Sequence, residues 1–163
     1  MIKPQILVLG LGNILLKDDG FGVHLINQLD RDKIEGDVEI LEGGTLGFNL
    51  LDELTDRELV IAVDAVKGDQ KPGTIYKFNY NDIKNYYKDK SMSMHQLDFI
   101  KALEIGEFLD KKLPRIIIYG VQPESICVDM ELSDVVKSKI NVVTDHIYSE
   151  INKYVVTNPN LPA

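Results

Sequence analysis

Short apolar runs alternate along this chain with longer segments in which apolar residues recur every three or four positions. Continuous apolar runs at 6–9 and 59–63, and a third in the centre of 115–121, are typical of strands buried on both faces of a sheet, and a shorter run at 38–41 predicts a further strand. Residues 74–78 alternate between apolar and polar side chains. That alternation predicts a half-exposed strand at an edge of the sheet.

The segments between these runs show the periodicity of amphipathic helices. They predict helices over 21–29, 46–54, 95–109 and 136–154, with a short helix and loop in the polar stretch 79–90. Ser93 and Ser133 stand where they can cap the third and the last of the long helices.

Strands that alternate with helices predict an α/β fold. We expect a three-layer α/β/α sandwich around a mostly parallel twisted sheet of about five strands, with one antiparallel edge strand. The chain has 163 residues, with neither an internal repeat nor a linker. It is therefore predicted to form a single domain over residues 1–157, followed by a tail at 158–163.

Charge and composition narrow the class of protein. The formal net charge of -8 argues against binding to nucleic acid or to an anionic membrane, where basic patches supply the affinity. No apolar segment approaches the roughly 20 residues of a membrane span, and the run after Lys3 is too short for a signal peptide. The single cysteine, Cys127, excludes an internal disulfide and is expected to be a buried apolar residue. These features predict a soluble, cytoplasmic protein that binds neither nucleic acid nor membrane.

Three residues that are far apart in sequence are the candidates for chemistry. Asp19 follows the first strand and its glycine-rich turn, Asp64 ends the third strand, and His95 opens a helix. Ligands of parallel sheets bind at the carboxyl ends of the strands, so these side chains can share one crevice. Two carboxylates and an imidazole are suitable ligands for nickel or zinc. The sequence therefore predicts a metal site formed by Asp19, Asp64 and His95.

A nucleotide-binding interpretation also starts from the first turn, because a strand is followed there by Gly-x-Gly and a helix. The third glycine of the dinucleotide fingerprint is replaced by Leu15, however. Asp18 and Asp19 would moreover place two negative charges where a helix N-terminus receives the pyrophosphate. This interpretation is the weaker one, and we expect Asp18 to act as the N-cap of the first helix.

Taken together, five short segments resemble the hydrogenase maturation proteases, which complete the large subunit of [NiFe] hydrogenases. They occur in this order: GLGNILLKDDGFG at 10–22, EGGT at 42–45, VDA at 63–65, HQL at 95–97 and GVQPE at 120–124. A glycine pair alone would be weak, whereas the ordered set is specific. One departure is Glu42, where the family usually has an aspartate before the glycine pair.

The resemblance implies an endopeptidase that removes a C-terminal extension from the hydrogenase large-subunit precursor after nickel insertion. Its metal-binding triad falls on Asp19, Asp64 and His95, and the family accepts Asp or Glu at the first position. In one mechanism the triad grips the nickel of the precursor, and a carboxylate activates water as a general base. Asp19 is the first choice for that base and Asp64 the second. We expect a monomer whose partner is the large-subunit precursor.

Other interpretations stay open at this stage. In a second mechanism the triad holds a divalent ion of its own, which makes a metal-bound hydroxide. The first mechanism is preferred, because no metalloprotease motif such as His-Glu-x-x-His is present. Alternatives from other classes are a noncatalytic nickel-sensing or nickel-delivery protein and a nucleotide-binding α/β protein.

Several neighbouring residues have plainer explanations. His24 is expected at the surface or rim of the first helix, and His146 is expected in solvent on the last. Met92 and Met94 are expected to pack between segments or to contact substrate. Asn13 can either donate to a scissile carbonyl or stabilise its own turn. The segment at 122–124 is expected to line the same crevice.

Overall fold

Five strands form one mixed sheet in the computed structural model, which describes residues 3–44, 49–86 and 92–159. The strands are β1 (Ile6–Gly10), β2 (Val38–Glu42), β3 (Leu59–Ala65), β4 (Ile75–Asn79) and β5 (Arg115–Val121). Their order across the sheet is β2-β1-β3-β5-β4. All neighbouring pairs are parallel except β4 and β5, which run antiparallel. The predicted sheet is therefore confirmed, including its antiparallel edge strand.

Helices cover both faces of this sheet, which confirms the predicted three-layer α/β class. In the described ranges they are α1 (Phe21–Ile26), α2 (Leu50–Leu54), α3 (Tyr80–Tyr86), α4 (Met94–Phe108), α5 (Asp134–Lys137) and α6 (Ile140–Thr157). One hydrophobic cluster joins α1, α5 and α6 to the sheet, and a second joins α2, α3 and α4 to the opposite face. None of the described helices combines the length and the apolar character that crossing a bilayer requires.

Strand periodicity decides which side chain meets which helix layer. Successive side chains of a strand point to opposite faces. In β1, Ile6 and Val8 pack with α1 and α6, whereas Leu7 and Leu9 pack with α2 and α4. In β3, Val60 and Ala62 belong to the α4 face. The same alternation puts Asp64 on the α4 face of the sheet.

The last predicted helix is divided in the structure into α5 and α6. Ser133 precedes α5 but its hydroxyl makes no capping hydrogen bond there, because it donates to Asp18 instead. The predicted capping role of Ser133 is therefore wrong. The first helix is also shorter than predicted, since α1 ends at Ile26 and the chain continues in tighter turns.

Some predicted features fall outside the described residues. Residues 45–48 contain the start of the predicted second helix and the end of the second motif. Residues 87–91 contain the predicted loop, and residues 160–163 are the end of the predicted tail.

Candidate active site

The carboxyl ends of β1 and β3 form the floor of the candidate site. The two strands are parallel neighbours in register, and the amide of Leu11 donates to the carbonyl of Val63 at 2.8 Å as the chain leaves β1. Gly12 then takes a φ of +118°, and a Cβ there would lie 1.9 Å from the carbonyl oxygen of Asp19. The turn thus doubles back onto the one-turn 3-10 helix at Lys17–Gly20, which carries Asp19.

Asp64 lies within β3 rather than after it. The sequence predicted that the strand ends at Val63, but β3 continues to Ala65 and pairs Asp64 with Gly120 of β5. The carboxyl group is buried on the α4 face, where the Asp64 Oδ1 atom accepts from the amide of Ala65 at 2.8 Å. A carboxylate buried near the end of an otherwise apolar strand is costly, which makes it a candidate for function.

His95 is held in place by the N-terminus of α4. Ser93 caps this helix and forms a capping box with Gln96, which confirms the predicted cap. The side-chain amide of Gln96 also donates to the carbonyl of Ala65 at 2.7 Å, which connects the first turn of α4 to the end of β3. These bonds bring the imidazole over the loop after β1, where His95 Nε2 lies 3.0 Å from Asp19 Oδ2.

The Asp19 carboxylate is buried and fixed by two partners. Its Oδ2 atom accepts from the backbone amide of Asn13 at 3.0 Å and lies 3.0 Å from His95 Nε2. The Asn13 side-chain oxygen accepts from the Leu15 amide at 2.9 Å. The turn-stabilising role considered for Asn13 is therefore present, and it positions the amide that holds Asp19.

The three predicted residues influence one another's protonation. Burial raises the pKa of Asp64 from 3.8 to about 7, and repulsion from Asp19 adds to this, while a hydrogen bond from Gln96 and the charge of His95 oppose it. The hydrogen bond that His95 donates to Asp19 raises the pKa of His95 above its ordinary value, and attraction to Asp64 contributes in the same direction. In the metal-free protein, the contact with Asp19 thus favours the protonated form of His95, and burial favours the protonated form of Asp64.

An open cleft of about 490 Å³ leads to this group. Asp19 and His95 lie in its wall together with Ala65 and Gln96. The other lining residues are Asn13, Leu16, Lys67, Met92, Ser93, Met94 and Ile126. Met92 packs against the hydrophobic cluster on the α4 face, as one of the two predicted alternatives requires, whereas Met94 is largely exposed at the cleft and its contact with substrate stays a prediction.

The donor set suits a divalent borderline metal, but it is not arranged as a ready three-ligand site. In the ranges 3–44, 49–86 and 92–159, no three His, Cys, Asp or Glu side chains are grouped closely enough to hold an ion. Asp19 and His95 instead satisfy each other, with Asp64 near enough to affect both. A metal ion would have to compete with the proton that these two side chains share.

Comparison with known proteins identifies the family. The family model described as hydrogenase maturation protease matches residues 23–150. A hydrogenase 2 maturation protease of Escherichia coli is 32% identical over 151 residues, covering 91% of this chain and 92% of that protein. The chain belongs to the hydrogenase maturation protease family.

Solved structures of hydrogenase maturation proteases share the fold. An Escherichia coli structure described as the hydrogenase maturating endopeptidase HybD superimposes with a TM-score of 0.83 at 30% identity, covering 92% of this chain and 93% of that one. The [NiFe] hydrogenase maturation protease HybD from Thermococcus kodakarensis gives a TM-score of 0.76 at 30% identity, with 90% and 99% covered.

Some relatives are considerably longer than this chain. The hydrogenase expression/formation protein HupD of Thiocapsa roseopersicina is 35% identical over 121 residues, which cover 74% of this chain but 55% of that protein. HoxM of Azotobacter vinelandii is 33% identical over 127 residues, which cover 77% of this chain and 61% of that protein. The chain therefore spans less than two thirds of the length of these relatives.

One buried acid of this chain has a structural role that sequence reasoning missed. Asp18 is fully buried and caps no helix. Its carboxylate accepts from the amides of Glu124, Ser125 and Ser133 at 2.9, 3.0 and 2.7 Å, and from the Ser133 hydroxyl at 2.9 Å. The prediction of an N-cap is wrong because these donors, which come from the loop after β5, hold the side chain instead. Asp18 thereby fixes that loop beside the cleft.

The structure also tests the predictions made for Cys127, the two other histidines and Gln122. Cys127 is exposed, so its predicted burial is wrong. His24 is half-buried, and its Nε2 atom is buried with no hydrogen-bond partner among the described residues. His146 is exposed as predicted, but its ring also stacks on Tyr119 with 5.6 Å between centroids. Gln122 turns away to accept from the Gly68 amide and the Tyr76 hydroxyl.

Proposed function

We propose that this protein is an endopeptidase that removes the C-terminal extension of a [NiFe] hydrogenase large-subunit precursor after nickel insertion, and that it recognises the bound nickel. Family membership supports the reaction class. The single observation that carries the proposal is the convergence of Asp19 and His95 in one open cleft, with Asp64 buried beside them in β3.

Nickel enters this proposal as part of the substrate. Two carboxylates and an imidazole are acceptable nickel ligands. In the free protein Asp19 and His95 are bound to each other, which suits a site that meets its metal only when a loaded precursor arrives. Recognition would then depend on the metal rather than on a deep side-chain pocket. A precursor without nickel would lose this contact and escape cleavage.

Hydrolysis requires a base for the attacking water, and Asp19 is our first choice. Asp19 lines the open cleft, so a water molecule and a peptide carbonyl can both reach it. Its carboxylate takes the proton from water as the oxygen attacks the carbonyl carbon, and the proton passes to the amine as the C–N bond breaks. Asp64 is the second choice, because a pKa of about 7 suits a general base but its side chain is buried.

The remaining residues of the site hold these groups in position. The backbone amide of Asn13 and the imidazole of His95 both contact Asp19 Oδ2 and hold the carboxylate in place. Gln96 connects α4 to β3, so that the histidine and the strand carboxylate keep their relative positions. A preorganised arrangement of this kind lowers the entropic cost of reaching the transition state.

The deciding experiment is intact-mass analysis of the large subunit after incubation of its precursor with this protein. Four arms are needed: nickel-loaded precursor, nickel-free precursor, the Asp19→Asn variant, and Asp145→Asn as a matched control. Asp145 is an exposed acid on α6, which packs on the other face of the sheet from α4. We expect a defined C-terminal peptide to be lost only from nickel-loaded precursor, with wild type and Asp145→Asn but not with Asp19→Asn.

Two outcomes would reject the proposal. No mass change with intact nickel binding would indicate a noncatalytic nickel-sensing or nickel-delivery protein. Cleavage of nickel-free precursor at the same rate would leave the endopeptidase but remove nickel recognition. A titration with NAD(H) or ATP tests the nucleotide-binding alternative, for which we expect no binding.

A further inference from the structure

An exposed apolar surface borders the active-site cleft. We name it the apolar rim, and it consists of Ile14, Leu15, Met94, Ile126, Val128 and Met130. Each of these side chains is more than a third exposed, and Val128 is 89% exposed. Met94 and Ile126 also line the cleft together with Asp19 and His95. The rim is therefore continuous with the proposed catalytic cleft.

Backbone hydrogen bonds make the rim one rigid unit rather than two separate loops. The Lys17 amide donates to the Asp129 carbonyl at 2.7 Å, and the Asp129 amide donates to the Leu15 carbonyl at 3.1 Å. The buried Asp18 carboxylate adds four hydrogen bonds to the same loop. These hydrogen bonds hold the two loops together beside the cleft, with their apolar side chains exposed.

The charge of the rim is balanced internally, although the chain carries a net charge of -8. Between Ser125 and Met130 the single charged residue is Asp129, and its carboxylate pairs with Lys17 at 3.3 Å. A partner that binds along this stretch therefore meets apolar side chains and one neutralised ion pair, while the exposed Glu124 and Glu131 flank the stretch. An apolar segment fits this surface better than a charged one.

Methionine is concentrated at the same place. Three of the four methionines of the chain, Met92, Met94 and Met130, lie in the cleft wall or on the rim. Methionine side chains are flexible and polarisable, and they are favoured at surfaces that adapt to a bound chain. Exposed apolar groups that border a cleft commonly mark a binding site.

We propose that the apolar rim is the docking surface for an extended apolar segment of the large-subunit precursor, next to the bond that is cut. This proposal rests on the proposed function, because the occupant follows from the continuity between rim and cleft. Met94 and Ile126 line the cleft together with Asp19, so a peptide with its scissile bond beside Asp19 can continue along them onto the rim. The rim supplies affinity and register, and the buried triad supplies the chemistry.

The test uses Val128→Glu, with Val156→Glu as the matched control. Both valines are highly exposed, at 89% and 76%, and Val156 lies in the last turns of α6. We expect Val128→Glu to raise KM for nickel-loaded precursor about tenfold or more with kcat within about twofold, the size expected for losing one buried valine contact. Val156→Glu should match wild type. Met130→Ser repeats the test by shortening a second rim side chain.

Binding to nickel-free precursor, measured by interferometry, separates docking from catalysis. Val128→Glu should weaken this binding, and Val156→Glu should not. Equal KM and equal binding for Val128→Glu and wild type overturn the docking proposal but leave the endopeptidase intact. Binding that depends on Val128 without any cleavage supports docking and rejects the proposed function, whereas neither binding nor cleavage rejects both. A wild-type dimer that Val128→Glu dissociates assigns the rim to self-association and overturns the proposal.

Discussion

Asparagine at position 64 should make the metal-free protein more stable at alkaline pH while removing its activity. Burial is the main reason why the pKa of Asp64 rises from 3.8 to about 7. The unfolded chain ionises this group near pH 4, but the folded protein keeps it protonated up to about pH 7. The free energy of unfolding contributed by Asp64 therefore falls as the pH rises through this interval and is constant above it.

The size of the effect follows from the shift. About three pKa units at 1.36 kcal/mol each correspond to about 4 kcal/mol of destabilisation at pH 8, relative to the protonated carboxyl. Asparagine does not titrate, so it escapes this cost. Its amide group brings a burial cost of about 1–3 kcal/mol if it finds no acceptor. The Ala65 amide that Asp64 Oδ1 accepts from can still be satisfied by the asparagine oxygen.

Wild type and Asp64→Asn should consequently change order with pH. At pH 4 the variant is expected to be less stable by about 1–3 kcal/mol, and at pH 8 more stable by a similar amount. The pH-dependent part of the difference, about 4 kcal/mol, does not depend on how well the asparagine is accommodated. Urea unfolding followed by circular dichroism in the presence of EDTA, from pH 4 to pH 8.5, measures it.

Asp145→Asn controls for the loss of one negative charge, because Asp145 is exposed on α6. Stability curves of wild type and Asp64→Asn that run parallel across the whole pH range would refute the argument, since Asp64 would then ionise alike in both states. The same variant should not cleave nickel-loaded precursor at any pH. A gain in stability together with a loss of activity is typical of a residue kept for function.

Three further predictions concern the supports of the site and its metal. Asp18→Ala should lower the free energy of unfolding by about 3 kcal/mol or more, because four donors lose their acceptor. Ser133→Ala removes one of these donors and should lower it by about 1 kcal/mol in the same urea titration. Equal losses for the two variants would contradict this. Gly12→Ala should reduce kcat strongly, because the new Cβ would meet the carbonyl of Asp19. Gly36 also has a positive φ, but a Cβ there would lie 3.0 Å from a side-chain atom. Gly36→Ala should therefore lower the free energy of unfolding by about 1 kcal/mol and keep full activity. Protease stripped of metal by EDTA and desalted should still cleave nickel-loaded precursor at the wild-type rate, and restoration only by added nickel or zinc would favour a resident metal.

The sheet was predictable because β1, β3 and β5 each contain a continuous apolar run and β4 alternates between apolar and polar side chains. Periodicity alone identified β1, β3 and β5 and the exposed edge strand β4. The break between α5 and α6 was not predictable, because the apolar spacing from Val136 to Tyr154 runs through it without interruption. At the break the Lys139 amide donates to the carbonyl of Val136, three residues back, and the apolar spacing gives no sign of this tighter turn.

The candidate residues could be named from the sequence, but their arrangement could not. Strand ends and a helix start were sufficient to suggest that Asp19, Asp64 and His95 share a crevice. That Asp64 lies inside β3 depends on its pairing with Gly120 of β5, which only the folded sheet provides. The exposure of Cys127 was equally hidden, since a cysteine between two aliphatic residues is more often buried.

The neighbouring acids Asp18 and Asp19 show why residue type does not determine role. Both are buried carboxylates on the same turn of 3-10 helix. Asp18 accepts four hydrogen bonds from one loop, which leaves it little capacity to bind anything else. Asp19 accepts from one amide and shares its other contact with an imidazole that a metal or a substrate can draw away. The Asp18 carboxylate therefore holds the loop beside the cleft in place, whereas the Asp19 carboxylate can still bind a partner. The difference between the two acids lies in their surroundings and not in their residue type.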